Sequence, residues 1–246
     1  MHRCLVHPDA WTSGAVSLDS SESHHLHQVI RAKPGQIVGV FDGQGRSAEA
    51  CVGASQDQLD LVPGSLKQHV RGVHCTLYLS VLKPTRMDMA IEKATELGAA
   101  RIVPLSAEHC VAQVGVGSVD KKVARWLRIA TSAAKQCGTP WLPEMHAPIA
   151  LASLCERIRA GEWLALGALA GNPAPLKDAL RARATENPVY VGLVIGPEGD
   201  FSPVEMEQLL SAGAVPVSFG ARVLRAETAA LFGLSVIMSE LDHAHR

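Results

Sequence analysis

The sequence predicts an α/β protein in which a mainly parallel sheet, covered by helices, follows a small β-rich domain. From about residue 73, apolar strand-like runs alternate with helical patterns, which is the rhythm of a parallel sheet. Residues 1 to about 70 consist instead of short alternating runs separated by turns. The composition, with 47% hydrophobic but only 4% aromatic residues, favours helices packed on a sheet over an aromatic-rich sandwich.

The β-rich domain is predicted from its turns. Two strand-like runs in "QIVGVFDGQGRSAEACV" flank residues 42–45, a hairpin signal because glycine adopts positive φ at low cost. "DQLDLVPG" alternates as a further strand. "HHLHQVIRAKPG", residues 24–35, reads as a short helix that Pro34 and Gly35 end. We place this domain at residues 1–70 and a second domain at residues 73–246.

The second domain is predicted from strand–helix alternation. "VHCTLYLSVL", "RIVPL", "EWLALGAL", "VYVGLVI" and "AVPVSF" are buried strand candidates. "RMDMAIEKATELG" carries an apolar face and a stop at Gly98, and "SVDKKVARWLRIATSAAKQCG" is the clearest helix, with Gly138 after its end. "PLKDALRARAT" predicts one more helix.

The net charge and the cysteine pattern restrict which ligands and partners the sequence predicts. The formal net charge of −1 means that a polyanion would be held by local patches and not by a global field. The six cysteines form no C-x-x-C pair, and "HHLH" offers no evident third ligand, so we expect no metal site. No apolar run approaches 18 residues and no signal-peptide pattern opens the chain. We therefore expect a soluble cytoplasmic protein without membrane contact.

Two loops after consecutive strands carry the functional signal. "IGPEGDFSP" combines a glycine-rich turn with a capping box in which Ser202 is the N-cap, Pro203 follows and Glu205 reaches back. Ligands of open α/β sheets bind at the carboxyl ends of strands, where such turns lie. The loop "GARVLRAET" then follows the next strand. By themselves the glycines could serve only the turn; together the loops indicate two sides of one pocket.

Together, "IGPEGDFSPVEME" and "FGARVLRAETAALFGL" resemble the signature of the SPOUT methyltransferases, and more narrowly the RsmE family, which methylates N3 of a uridine in 16S ribosomal RNA. "HHLHQVIRAKPGQIVGVFDG", "KATELGAARIVPL" and "WLRIATSAAKQCG" agree in order along the chain. The resemblance implies a PUA-like N-terminal RNA-binding β-barrel and a C-terminal domain with a deep trefoil knot. It also implies a homodimer that binds S-adenosylmethionine within the knot.

The resemblance assigns roles to residues of both loops. Arg225 would stabilise the uracil anion, as in an oxyanion hole, while Glu198 or Glu227 would take the N3 proton or hold Arg225. A purely structural pair of Arg225 with Glu227 is the alternative. The expected cofactor-binding residues are Leu166, Gly167, Ile195, Gly196, Gly199, Phe219, Gly220, Val223 and Leu224.

RNA capture is expected from both domains. The basic helix around 121–135 contains no acidic residue, although a solvated helix face is the simpler interpretation of such a run. The expected RNA-binding residues are His25, Arg31, Lys93, Lys121, Lys122, Arg125, Arg128 and Arg222.

The sequence departs from the family's usual pattern at Asp200, Phe219, Thr139 and His109, where a glycine, a leucine and two arginines are common. The last two departures remove expected phosphate contacts. The alternatives are a SPOUT enzyme that methylates another base or a ribose 2′-hydroxyl, and a non-catalytic RNA-binding assembly protein. A nucleotide-dependent hydrolase or dehydrogenase is disfavoured because the phosphate-loop motifs are missing.

Overall fold

The computed structural model describes residues 1–110, 116–169, 171–183 and 189–241. The chain divides into two compact units. The N-terminal unit comprises Met1–Val70 together with Thr131–Leu142, and the C-terminal unit comprises Arg71–Ala130 together with the described residues from Pro143 onward. Residues 131–142 thus pack with the first 70 residues. The boundary between residues 70 and 73 stays a prediction.

The N-terminal unit is built from one sheet and one short helix. Its elements are β1 (Arg3–Leu5), β2 (Ala15–Ser17), α1 (Ser20–His24), β3 (Ile37–Phe41), β4 (Arg46–Val52), β5 (Gln58–Leu61) and β6 (Lys67–Gln68). The strand order is β1-β3-β4-β5-β2, with β6 paired to β4. The predicted hairpin is confirmed, since β3 and β4 are antiparallel and Gly43 and Gly45 have φ of 74° and 99°.

The helix expected over residues 24–35 begins and ends earlier than predicted. The Asp19 carboxylate accepts a hydrogen bond from the Glu22 backbone N–H at 2.8 Å, so α1 begins at Ser20. A single π-type turn, His25–Val29, follows α1. Arg31 then adopts a φ of 57°, which ends the helical path before Pro34 is reached.

The C-terminal unit alternates strands and helices, as the sequence predicts. Its elements are β7 (Val73–Ser80), α2 (Pro84–Glu96), β8 (Arg101–Ser106), α3 (Val119–Cys137), β9 (Glu144–Met145), β10 (Ile149–Ala150), α4 (Leu151–Arg159), β11 (Leu164–Gly167), α5 (Leu176–Arg183), β12 (Val189–Ile195), α6 (Pro203–Ala212), β13 (Val215–Val217) and α7 (Ala226–Leu241). The last turns of α3 belong to the N-terminal unit. Sequence reasoning missed α4 and the two-residue strands.

The seven strands of this unit form a parallel sheet in the order β10-β8-β7-β12-β11-β13, with β9 paired to β8. Side chains alternate between two cores: Leu77 and Leu193 face one, and Tyr78 and Val194 face the other. Helices α2, α5 and α7 cover the first core, and α4 and α6 cover the second. The predicted α/β class is confirmed. None of the described helices is long and apolar enough to cross a membrane.

Candidate functional site

The carboxyl ends of β11, β12 and β13 border a large cleft of the C-terminal unit. Its volume is about 970 Å³. The loop after β12, residues 196–202, forms one side of the cleft, and the loop after β13, residues 218–225, forms another. The strands bring the loops together because β12 and β13 both pair with β11. This is the position at which open α/β sheets bind ligands.

Most of the predicted site residues line this cleft. Those that do are Gly167, Ile195, Gly196, Glu198, Gly199, Phe219, Gly220, Arg222, Val223, Leu224 and Arg225. Sequence reasoning missed several others, which are Arg86, Ala168, Leu169, Asn172, Pro173, Pro175, Pro197, Ser218, Ala221, Ala226 and Ala229. Most of these belong to the same loops or to the loop after β11. No motif in the sequence indicated that the loop after β11 borders the cleft.

The side chain of Leu166, another predicted cofactor-binding residue, does not line the cleft, and a contact through its backbone stays a prediction. This side chain is fully buried in the core beneath α4 and α6. Successive side chains of a strand point to opposite faces of the sheet. Leu166 and its neighbour Ala165 accordingly lie in opposite cores.

The loop after β12 is tightly folded around Gly196. A Cβ atom added at Gly196 would lie 3.2 Å from both Asp200 Oδ1 and a ring carbon of Phe201. Asp200 has a φ of 61°, and its Oδ1 accepts a hydrogen bond from the Phe201 backbone N–H at 2.8 Å. Asp200 thereby adopts the left-handed conformation that otherwise favours glycine, with its own carboxylate fixing the turn.

His109 is attached to the same loop. Its Nδ1 lies 3.2 Å from the Gly199 carbonyl oxygen and 3.0 Å from the Asp200 carbonyl oxygen. The capping box predicted at the start of α6 is confirmed: Ser202 N–H donates to Glu205 Oε2 at 3.0 Å, and Glu205 N–H donates to Ser202 Oγ at 3.4 Å. The middle of the loop and its end at Ser202 are therefore anchored.

Arg86 contacts both glutamates for which the sequence predicts a catalytic role. Its Nη1 donates to Glu198 Oε1 at 3.2 Å, and its Nε lies 3.6 Å from Glu227 Oε1. The Glu198 side chain is 20% exposed and borders the cleft, whereas the Glu227 side chain is only 5% exposed. Arg86 lies in the first turn of α2, shortly after the carboxyl end of β7. That position in "KPTRMD" was the only signal that could have identified it.

Arg225 lines the cleft and does not form the ion pair with Glu227 that was the alternative interpretation. Its side chain is exposed and forms no ion pair or hydrogen bond with any residue that the structure describes. Glu227 contacts Arg86 instead. Of the three arginines that line the cleft, Arg86 is therefore engaged by carboxylates, whereas Arg222 and Arg225 form no ion pair with a described residue.

The other predicted RNA-binding residues lie on several elements. In the C-terminal unit, Lys121, Arg125 and Arg128 recur at helical spacing on α3 and are exposed. Lys122 is half-buried on the same helix. Arg125 pairs with Asp88, and Lys93 donates to Glu92 and Glu96 at 2.7 and 2.8 Å.

His25 and Arg31 lie in the N-terminal unit, where both are exposed. His25 belongs to the π-type turn and Arg31 to the segment after it. No group of three His, Cys, Asp or Glu side chains in the described ranges is arranged to hold a metal ion.

Comparison with known proteins decides the family. The family described as "RNA methyltransferase domain" matches residues 70–238, and "RNA methyltransferase PUA domain" matches residues 18–63. A ribosomal RNA small subunit methyltransferase E of Mycobacterium bovis is 35% identical over 92% of this chain and 87% of its own length. The chain belongs to this RNA methyltransferase family.

Further relatives agree along the whole chain. A ribosomal RNA small subunit methyltransferase E of Synechocystis is 29% identical over 98% of this chain and 78% of its own length. A crystal structure of the Neisseria gonorrhoeae methyltransferase E bound to S-adenosyl methionine superimposes with a TM-score of 0.84, at 25% identity and 97% coverage of both chains. The resemblance to the RsmE family is thus confirmed, together with the parallel α/β domain and the N-terminal PUA domain.

Proposed function

We propose that the protein transfers the methyl group of S-adenosylmethionine to N3 of a uridine in the 16S ribosomal RNA of the small subunit. The observation that carries the proposal is the closure of one cleft by the loops after β12 and β13. Its volume suits a cofactor of this size, since ligand pockets range from about 300 to 1,000 Å³. The relatives named for small-subunit ribosomal RNA methylation support the choice of substrate.

The cleft residues fit S-adenosylmethionine. The cleft combines apolar side chains with glycine backbone, which exposes N–H and C=O groups to a flat adenosine. At Gly167 the space that a side chain would occupy is filled by Phe219, whose Cε2 would lie 2.7 Å from a Cβ atom. When bound, the cofactor supplies an electrophilic methyl group. The expected contacts are Gly167, Ile195, Gly196, Gly199, Phe219, Gly220, Val223 and Leu224.

A cation of the cleft that no carboxylate engages suits the chemistry at uracil N3. Loss of the N3 proton places negative charge on the uracil oxygens, and a preorganised cation stabilises such charge. Arg225 is exposed to the cleft without a carboxylate partner among the described residues, so we assign it this role. General-base help from a positioned side chain typically contributes about 10²–10⁴-fold in rate.

The two glutamates then take different roles. Glu198 borders the cleft, so we assign proton acceptance to its carboxylate. Glu227 is buried outside the residues that line the cleft, and we assign it to positioning Arg86, which in turn holds Glu198. Because one guanidinium contacts both carboxylates, a change at Glu227 is transmitted to Glu198 through Arg86.

The proposal also covers the RNA-binding residues, a homodimer and a cytoplasmic location. We propose that Lys121, Lys122, Arg125, Arg128, Lys93 and Arg222, with His25 and Arg31, contact RNA. The exposed Phe232 on α7 and Val223 beside the cleft suit a homodimer contact. All six cysteines are free thiols, which suits a reducing, cytoplasmic setting. The trefoil knot stays a prediction from the resemblance, whereas the family match over residues 18–63 supports the PUA-like domain.

The deciding experiment supplies labelled S-adenosylmethionine and undermethylated small-subunit particles, then maps the product by nucleoside mass spectrometry. We expect label on uracil N3. A methyl group on a ribose 2′-hydroxyl or another base would replace the proposed target. Cofactor binding in calorimetry without any transfer would favour the assembly-protein alternative.

A second experiment tests Arg225. We expect Arg225→Ala to reduce methyl transfer at least about 100-fold while cofactor affinity changes little, because the cation is needed where charge develops. Arg225→Lys should retain part of the activity. Wild-type turnover in Arg225→Ala would refute the role, and lost cofactor affinity would assign Arg225 to cofactor binding instead.

A further inference from the structure

A second cleft lies within the N-terminal unit, and none of the residues assigned above lines it. Its volume is about 440 Å³, and it is bordered by β1, β3, β4 and β6 and by the residue that follows α3. The lining residues are Met1, Arg3, Gly39, Val40, Phe41, Ser47, Ala48, Glu49, Ser65, Lys67, His69 and Gly138. Neither the sequence motifs nor the family matches assign a role to it.

The guanidinium of Arg3 is held in place at one wall of this cleft. Its Nη1 donates to the Lys135 carbonyl oxygen at 3.1 Å, near the end of α3. A Cβ atom at Gly138 would lie 2.4 Å from Arg3 Nη2, so only glycine lets the guanidinium rest against this backbone. Gly138 also ends α3 with a φ of 83°. Four of the five guanidinium N–H donors remain for another acceptor.

Hydrogen-bonding groups from β4 and β6 line the other wall. Ser47 is the register partner of Lys67, and Ser47 Oγ lies 2.9 Å from His69 Nε2. The Lys67 side chain is exposed and forms no ion pair with any described residue. A hydroxyl, an imidazole and an ammonium therefore converge on the same space as Arg3.

Charge singles out this cleft from its surroundings. Residues 1–70 contain five Lys and Arg against seven Asp and Glu, so the segment as a whole has no excess of positive charge. Yet two of those five cations, Arg3 and Lys67, line the one cleft, with Glu49 as its only acidic lining residue. Such a local excess of donors and positive charge matches a phosphate group.

We propose that this cleft binds a backbone phosphate of the RNA substrate, a proposal that rests on the proposed function for the identity of the RNA. The Arg3 guanidinium and Lys67 ammonium neutralise the phosphate, while the Ser47 hydroxyl and an imidazole N–H of His69 donate hydrogen bonds to its oxygens. A phosphate contact of this kind fixes the position of the RNA without reading its sequence.

The test uses the full chain and undermethylated small-subunit particles, with binding measured without the methyl donor at several salt concentrations. We expect Lys67→Gln to weaken binding about 3- to 10-fold and to reduce the slope of log K against log salt by about one. The KM for particles should rise while affinity for S-adenosylmethionine stays unchanged. Lys177→Gln, the same substitution at an exposed position of α5, is the matched control.

The outcomes separate this proposal from the proposed function. The phosphate site would be overturned if folded Lys67→Gln bound particles with wild-type affinity and wild-type salt slope. An equal loss of particle affinity in Lys177→Gln would overturn it as well. Binding that depends on Lys67 without any methyl transfer by the wild-type protein would leave the phosphate site standing and refute the enzymatic assignment. His69→Gln provides a second variant, for which we expect weaker binding in the same direction.

Discussion

The guanidinium of Arg86 lies 3.6 Å from the carboxylate of Glu227, which is almost fully buried, and 3.2 Å from the carboxylate of Glu198 at the cleft. Glu227 Oε2 is itself buried and has no hydrogen-bond partner among the described residues. A buried carboxylate depends on its paired cation, because removing the cation leaves the desolvation cost uncompensated. Arg86 therefore supports both the fold and the position of Glu198.

This dependence predicts non-additive stability. Arg86→Met should lower the free energy of unfolding by about 1–3 kcal/mol, since it leaves a buried carboxylate unpaired. Adding Glu227→Gln should restore part of that loss, because the buried charge is then gone. Urea unfolding of both single variants and the double variant measures the coupling. Arg181→Met, which breaks an exposed pair with Glu240, is the control and should cost less than about 1 kcal/mol.

The close contact between Gly167 and Phe219 predicts that a side chain at position 167 would reduce cofactor affinity. Gly167→Ala would place a methyl group 2.7 Å from Phe219 Cε2, and the ring also packs edge-to-face on Phe232. We expect the ring to shift into the cleft and cofactor affinity, measured by calorimetry, to fall about tenfold. Phe219→Leu in the same chain should recover it, because leucine leaves room for the methyl group. Gly14→Ala, whose Cβ meets no atom within 4 Å, should change nothing.

The left-handed backbone conformation of Asp200 predicts how three substitutions at this position rank in their free energy of unfolding. Asp200→Ala keeps the left-handed conformation without its compensating hydrogen bond, so it should lower the free energy of unfolding by about 1–2 kcal/mol. Asp200→Asn should cost less, since asparagine tolerates this conformation and offers an acceptor. Asp200→Gly should lie between them, because it relieves the backbone but loses the bond. Equal free energies of unfolding for Asp200→Ala and Asp200→Asn in denaturant titrations would contradict this account of the turn.

Burial of Cys75 predicts a loss of stability at alkaline pH. Burial raises the pKa of this thiol from 9.0 to about 12. Above pH 9 the unfolded chain releases the proton while the folded chain retains it, so stability is full below pH 9 and falls as the pH rises toward 12. The contribution is about 1.4 kcal/mol per pH unit. Cys75→Ala should show a shallower decline between pH 8.5 and 10; parallel curves for the two proteins would refute the assignment.

Local signals accounted for much of the fold. The capping box of Ser202 and Glu205 and the hairpin glycines Gly43 and Gly45 act over a few residues, so their chemistry is visible in the sequence. Apolar periodicity likewise predicted α2 and α3, because it reports which side of a helix is buried. Helix α1 was misplaced because the Asp19 cap competes with the apolar pattern downstream.

The amino-acid sequence by itself determined the α/β class, the loops after β12 and β13 and the resemblance carried by their residues. Only the tertiary structure decided that Arg86 contacts Glu198 and Glu227, residues 112 and 141 positions away, and that Leu166 faces a core. The physical reason is that pairing in a parallel sheet joins strands distant in sequence, and strand register decides which side chain faces which core. The local pattern of residues determines neither the strand pairing nor the strand register.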